Sequence, residues 1–149
     1  MPAQASNAAC PCGGPSFATC CGPFIEGAAV PQTAEQLMRS RYSAFTLGLE
    51  PYLRATWHPS TLPDGPLVDV IDSPQWLGLE VKSALRLRQR KANLAEIPDR
   101  DTVEFVARYR INGRAHRLHE VSSFVRETAA DGVARWLYVD GRFPDQPLK

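Results

Sequence analysis

The chain changes its hydrophobic period along its length. Ala34, Leu37, Met38, Tyr42 and Phe45 recur at three- and four-residue intervals, the spacing of one buried face of an α-helix. Thr33 stands at the N-cap position with Gln36 three residues later, as in a capping box, and Gly48 supplies a stop. A second, short helix is predicted next, with Pro51 in its first turn and Tyr52, Leu53 and Trp57 as apolar anchors. Pro59, Pro63 and Pro66 close that section. The period then falls to two. Leu79, Val81, Ser83, Leu85 and Leu87 alternate with Glu80, Lys82, Arg86 and Arg88, and Val103, Phe105, Ala107, Tyr109 and Ile111 alternate with Glu104, Arg108 and Arg110. Both runs read as half-buried antiparallel strands. Asn112-Gly113 is a hairpin dipeptide; a third strand is expected over Leu118 to Glu127, and Asp131-Gly132 turns into a fourth over Val133 to Val139. Helices first and a strand meander afterwards define an α+β class.

Composition adds limits. The 149 residues, 44% apolar and 22% charged, suit one ordinary globular domain with its own core. The formal net charge of +1 gives no basic excess of the kind that a dominant phosphate-contacting surface produces. No apolar run approaches the ~18 residues needed to cross a membrane. The N-terminus carries no basic segment followed by an apolar stretch, so no membrane partner is expected and the cytoplasm is the expected compartment.

Chemistry concentrates in the cysteines. All four, Cys10, Cys12, Cys20 and Cys21, fall within a twelve-residue window. Disulfides within so short a loop would constrain the unfolded chain little, and nothing points to an oxidising compartment. Four thiolates match the soft, tetrahedral preference of Zn²⁺, and Gly13, Gly14 and Gly22 let the backbone wrap an ion. Zinc is the expected cofactor, and a closed four-ligand sphere points to a structural role. A disulfide or free-thiol cluster is the alternative.

The run Cys10-Pro-Cys-Gly through Cys20-Cys21-Gly resembles the SEC-C motif, the zinc-binding element known from the tail of the bacterial preprotein translocase ATPase. Its spacer from Gly13 to Thr19 is seven residues, one shorter than usual, and lacks the customary lysines. Leu37-Met-Arg-Ser-Arg-Tyr-Ser-Ala-Phe45, Thr56-Trp-His-Pro59, Trp76-Leu-Gly-Leu79, Phe105-Val-Ala-Arg108 and Tyr138-Val-Asp-Gly141 resemble the YchJ family of small bacterial SEC-C proteins. The resemblance covers nearly the whole chain. It implies an NTF2-like cone, helices packed into a curved antiparallel sheet, preceded by a small zinc finger, and it implies no particular activity. The corresponding division is 1–30 for the zinc-binding segment and connector and 31–149 for the α+β domain.

Cones of this kind often enclose a cavity, which directs attention to inward polar residues. Arg41 falls among Ala34, Leu37 and Phe45 on the first long helix, and Glu120 and Ser122 share a strand face with Leu118 and Phe124. A buried guanidinium needs a partner, so an Arg41–Glu120 pair is expected, either as a structural ion pair or as a ligand anchor. His58, between Trp57 and Pro59, is the most tempting catalytic candidate, yet it sits where a histidine commonly caps a helix end. His116 and His119 are expected in solvent near a hairpin. No residue is assigned as catalytic. No phosphate loop, Gly-x-Ser-x-Gly or His-Glu-x-x-His is present. Arg86, Arg88, Arg90 and Lys91 form a basic strand edge that reads either as a weak nucleic-acid patch or as protection against edge pairing.

Three functions follow. The favoured one is a non-enzymatic zinc protein that contacts a protein partner through its finger, with the cone as scaffold or ligand binder. The second is an enzyme acting on a small molecule in the cone, which a cavity with convergent polar groups would favour. The third is a nucleic-acid or ribosome-associated module, for which salt-sensitive RNA binding would be the sign.

Overall fold

The computed structural model describes residues 9–14, 16–67, 75–83 and 99–144. A 3-10 turn at Phe17–Thr19 and a short helix α1 (Gly22–Glu26) lead to the long helix α2 (Ala34–Leu47) and to α3 (Glu50–Ala55). The strands β1 (Gln75–Ser83), β2 (Arg100–Ile111), β3 (Arg114–Thr128) and β4 (Ala134–Arg142) form one antiparallel sheet in sequential order.

α2 starts where its cap chemistry directs. The Gln36 backbone N–H donates to Thr33 Oγ1 at 3.1 Å. The Gln36 side chain reaches back one residue further than in a simple capping box, accepting from the Gln32 N–H at 2.6 Å. Gly48, at φ 70°, closes the helix in the left-handed conformation that glycine takes without strain. The Asn112-Gly113 turn has φ of 51° and 80°, both positive as a two-residue hairpin requires. It sets the β2–β3 register that puts Phe105 opposite Glu120 and Val103 opposite Ser122.

The core lies between α2 and one sheet face. Ala34, Leu37, Met38 and Tyr42 meet Val103, Phe105, Ala107, Phe124 and Trp136. Full burial of a Leu or Phe side chain such as Leu37 or Phe124 contributes roughly 1.5–3 kcal/mol. Trp136 Nε1 donates to the Gln32 carbonyl at 3.2 Å, tying β4 to the start of α2. Ser40 Oγ lies 2.7 Å from the Tyr52 hydroxyl, which fastens α2 to α3. Beyond α3, Tyr138 N–H donates to the Thr56 carbonyl and His58 N–H to the Tyr138 carbonyl, a parallel bridge that adds this segment to the free side of β4.

Two details depart from the alternation pattern. β1 begins at Gln75, ahead of Leu79, because Trp76 pairs with Tyr109 across a register shift that the stretch Trp76-Leu-Gly conceals. Val106 is fully buried although its neighbours Phe105 and Ala107 are buried too, so β2 is covered on both faces there. The expected strand residues Leu85 and Leu87 and the basic run Arg86, Arg88, Arg90 and Lys91 lie outside the described residues.

Candidate functional site

The cysteine loop folds against α2. Its backbone closes on itself through Gly13 N–H to the Cys10 carbonyl at 2.9 Å and Cys10 N–H to the Gly14 carbonyl at 3.1 Å. Cys20 and Cys21 follow the 3-10 turn, at the entrance to α1. Cys10, Cys12 and Cys21 are buried within the same apolar cluster as Ala34, Leu37 and Met38. Cys10 Sγ lies 3.5 Å from Ser43 Oγ on α2. Arg39 Nη1 donates to the Cys12 carbonyl at 3.0 Å while its Nε pairs with Glu35 at 2.9 Å. The loop thus shares its packing with the helix.

All four thiols are free, and their Sγ atoms lie within 4.8 Å of one another. A tetrahedral ion with Zn–S bonds of about 2.3 Å would set sulfur separations near about 3.8 Å. The Cys12–Cys20 and Cys20–Cys21 separations, 3.5 and 4.0 Å, bracket that value, so the donor set fits a thiolate-binding ion. The titration pattern reflects the crowding. Hydrogen bonds from Cys12 and Cys21 hold the Cys10 thiol far below the ordinary thiol value, and donating to Cys10 and Cys12 holds the Cys21 proton far above it. Burial, aided by Cys12, pushes Cys20 up to about 12. Beside the Cys10 thiolate, Cys20 and Cys21 hold their protons, and a central cation would favour their ionised forms. Gly14 permits the close approach, since a Cβ there would stand 2.6 Å from Cys20 Sγ.

A second feature is a cavity of about 240 Å³ between α2 and the sheet. Met38, Tyr42, Phe45, Trp76, Phe105 and Leu118 supply apolar wall, and Arg41, Glu120, Ser122 and Tyr138 a polar end. Arg41 is buried, with its guanidinium carbon 4.7 Å from the Tyr138 ring centroid and 5.2 Å from that of Trp57. Its Nη1 donates to the Leu53 carbonyl at 2.8 Å and to Thr56 Oγ1 at 2.7 Å. Burial pulls the guanidinium down to about 10, against the opposing pull of Tyr138, Tyr52 and Glu120, which leaves it charged at neutral pH. Glu120 Oε2 accepts from Ser122 Oγ at 2.8 Å and from the Tyr138 hydroxyl at 3.0 Å. Burial first, then the Glu120 carboxylate, raises Tyr138 well above the ordinary phenol value.

The expected direct Arg41–Glu120 ion pair does not form. Tyr138 stands between the two, its ring face toward Arg41 and its hydroxyl on Glu120. Arg41, Glu120 and Ser122 all line the cavity, whereas His58 does not. His58 Nδ1 accepts from the Ser60 N–H at 3.1 Å, and Nε2 meets Glu127 at 2.9 Å, which makes it a strap across the β4 edge and not a helix cap. His119 is packed against Glu104 at 2.6 Å and not solvated, while His116 is exposed and stacks on Tyr109. Tyr138 and Trp57 are the site residues that sequence reasoning missed. Tyr138 carried a usable signal, because it lies two residues from Trp136 and therefore shares that residue's inward face.

The fold and the two sites define an NTF2-like α+β domain with a four-cysteine cluster ahead of its long helix. The chain belongs to the YchJ family. The family model described as YchJ, middle NTF2-like domain, matches residues 33–141. A UPF0225 protein of Ralstonia nicotianae is 53% identical over 146 residues, 95% of each chain. One from Cupriavidus metallidurans is 55% identical over 135 residues, 90% of this chain and 88% of its own. Among solved structures, a SEC-C motif containing protein from Rhodopseudomonas palustris is 30% identical with a TM-score of 0.69, covering 91% of this chain and 98% of that one. Another from Psychrobacter arcticus is 28% identical with a TM-score of 0.70, covering 97% of this chain and 85% of its own. No helix among the described residues is long and apolar enough to cross a membrane.

Proposed function

We propose that the chain is a zinc protein that acts by binding and not by catalysis, with Cys10, Cys12, Cys20 and Cys21 as the ligands of one structural ion. The observation that carries this reading is the convergence of four free thiols within 4.8 Å on the flank of α2. Thiolate softness favours zinc over harder divalent ions, and a sphere closed by four protein ligands leaves no position for substrate. The metal-binding segment, residues 1–30, then works as a staple that holds the N-terminal loop on the 31–149 domain. A protein partner in the cytoplasm, met through the face of the finger, is the corresponding mode of action.

Elemental mass spectrometry of the purified protein, with a thiol count after denaturation and chelation, tests the reading. One zinc per chain with four recoverable thiols is expected, and Cys20→Ser and Cys21→Ser are each expected to lose the metal. Stoichiometric zinc retained in both variants would sink the ligand assignment.

One observation favours a second reading, an enzyme acting in the cone: Tyr138, Glu120 and Ser122 form a hydrogen-bonded group on the cavity wall. Ser122 donates to Glu120, but the same Oε2 also accepts from Tyr138, and two donors on one oxygen lower its basicity toward the Ser122 hydroxyl, which weighs against this reading. Nothing among the described residues favours a nucleic-acid module.

A further inference from the structure

Most of the cavity wall is aromatic or aliphatic, yet its polar end retains unused hydrogen-bonding capacity of both kinds. Both bonds that Arg41 makes leave from Nη1; Nε and Nη2 donate to no described residue. The guanidinium lies over both the Trp57 and Tyr138 rings, which meet each other edge to face, so turning those nitrogens toward a carbonyl elsewhere would lose both contacts. Glu120 uses only Oε2, for Ser122 and Tyr138, and its Oε1 accepts from no described residue. Two buried side chains, one with unused donors and one with an unused acceptor oxygen, therefore line one chamber.

Charge narrows the chemistry. One guanidinium and one carboxylate already balance across Tyr138, and a ligand with net charge would bring an uncompensated ion into an apolar space. The volume, about 240 Å³, lies below the ~300–1,000 Å³ of sites for drug-sized ligands. Phe45, Trp76 and Leu118 remain only partly buried, which marks the side open to an incoming molecule.

We propose that this cavity is the binding site for a small, uncharged, flat apolar molecule whose polar end carries an acceptor for Arg41 beside a donor for Glu120, the pattern of a primary amide or a hydroxy-carbonyl group. The aromatic walls take its body. Arg41 and Glu120 read its head and disfavour carboxylates, because a second anion would be repelled by Glu120 and would leave the chamber with a net negative charge on a single guanidinium. This site is independent of the metal centre, and its test does not depend on the identity of the ion.

The test is titration of the purified full chain with naphthamide, naphthoate and naphthalene, followed by calorimetry and by the emission of Trp57 and Trp76, which line the cavity. Naphthamide is expected to bind at least about tenfold more tightly than either analogue, the scale of one hydrogen bond to a charged group. Glu120→Gln should weaken naphthamide by about tenfold and narrow its advantage over naphthoate. Leu118→Trp, which fills the cavity from its rim, should abolish binding of all three while circular dichroism and metal content stay unchanged. Absence of naphthamide binding at millimolar concentration, naphthoate binding as tightly as naphthamide, or undiminished binding by Leu118→Trp would each overturn the proposal.

Discussion

Gly141→Ala probes the polar end of the cavity without replacing any group that forms it. Gly141 pairs with Ser122 across the β3–β4 ladder, and a Cβ at position 141 would stand 2.6 Å from Glu120 Cδ and 2.9 Å from its Cγ. Real side chains do not approach so closely, and because Cγ is involved, rotation of the carboxylate alone brings no relief. Glu120 must leave its rotamer, which breaks the bonds it accepts from Ser122 at 2.8 Å and from Tyr138 at 3.0 Å. A hydrogen bond to a charged group contributes about 1.5–3 kcal/mol, and the displaced carboxylate regains part of this in the cavity, so a loss of about 2–4 kcal/mol is expected. For a chain of this length that corresponds to about 5–15 °C in Tm. Urea unfolding gives the free energy, and a cycle with Glu120→Ala isolates its cause: in that background Gly141→Ala should cost less than about 1 kcal/mol. An unchanged midpoint for Gly141→Ala, or the same loss with and without Glu120, would refute the reasoning.

Other expectations follow from single contacts. Gly14→Ala places a methyl group against Cys20 Sγ, and competition with a chromogenic chelator should show metal affinity reduced by roughly tenfold or more. Thr33→Ala removes the side-chain cap on α2 and should cost about 1 kcal/mol in urea unfolding, with metal retained. Burial holds Tyr42, Tyr52 and Tyr138 above the ordinary phenol value of 10.0. The unfolded chain loses these protons first, so their stabilising effect is intact below pH 10 and declines as pH rises further. Phenolate absorbance from these three is expected to appear together with unfolding in an alkaline titration; early ionisation of all three in the folded protein would contradict their burial.

Local chemistry made much of this structure legible. The Thr33 cap, the Gly48 stop and the Asn112-Gly113 turn act within a few residues; two-residue alternation located β2, and the Asn112-Gly113 and Asp131-Gly132 turns placed β3 and β4 after it. The cysteine spacing announced the thiol cluster for the same reason. What periodicity could supply for Arg41, Glu120 and Ser122 was direction, and all three do face inward. It could not supply partners. Arg41 donates to the Leu53 carbonyl, whose availability depends on how α3 ends, and a phenol ring from a distant strand intervenes before Glu120. His119 shows the same gap, since its Glu104 partner is fixed by the β2–β3 register.

The helix α2 has almost no outside. Ala34, Glu35, Leu37, Met38, Ser40, Arg41, Tyr42, Ser43 and Ala44 are all buried: the thiol loop covers one flank, α3 another, and the sheet a third. The middle-domain match that begins at residue 33 therefore starts inside a shared core, and likeness to the relatives extends ahead of it. A cut before Thr33 strips one coat from the central rod and bares Ala34, Leu37 and Met38. The cysteine segment and the cone share one core, so a graft of either alone is expected to expose apolar surface that the other now covers.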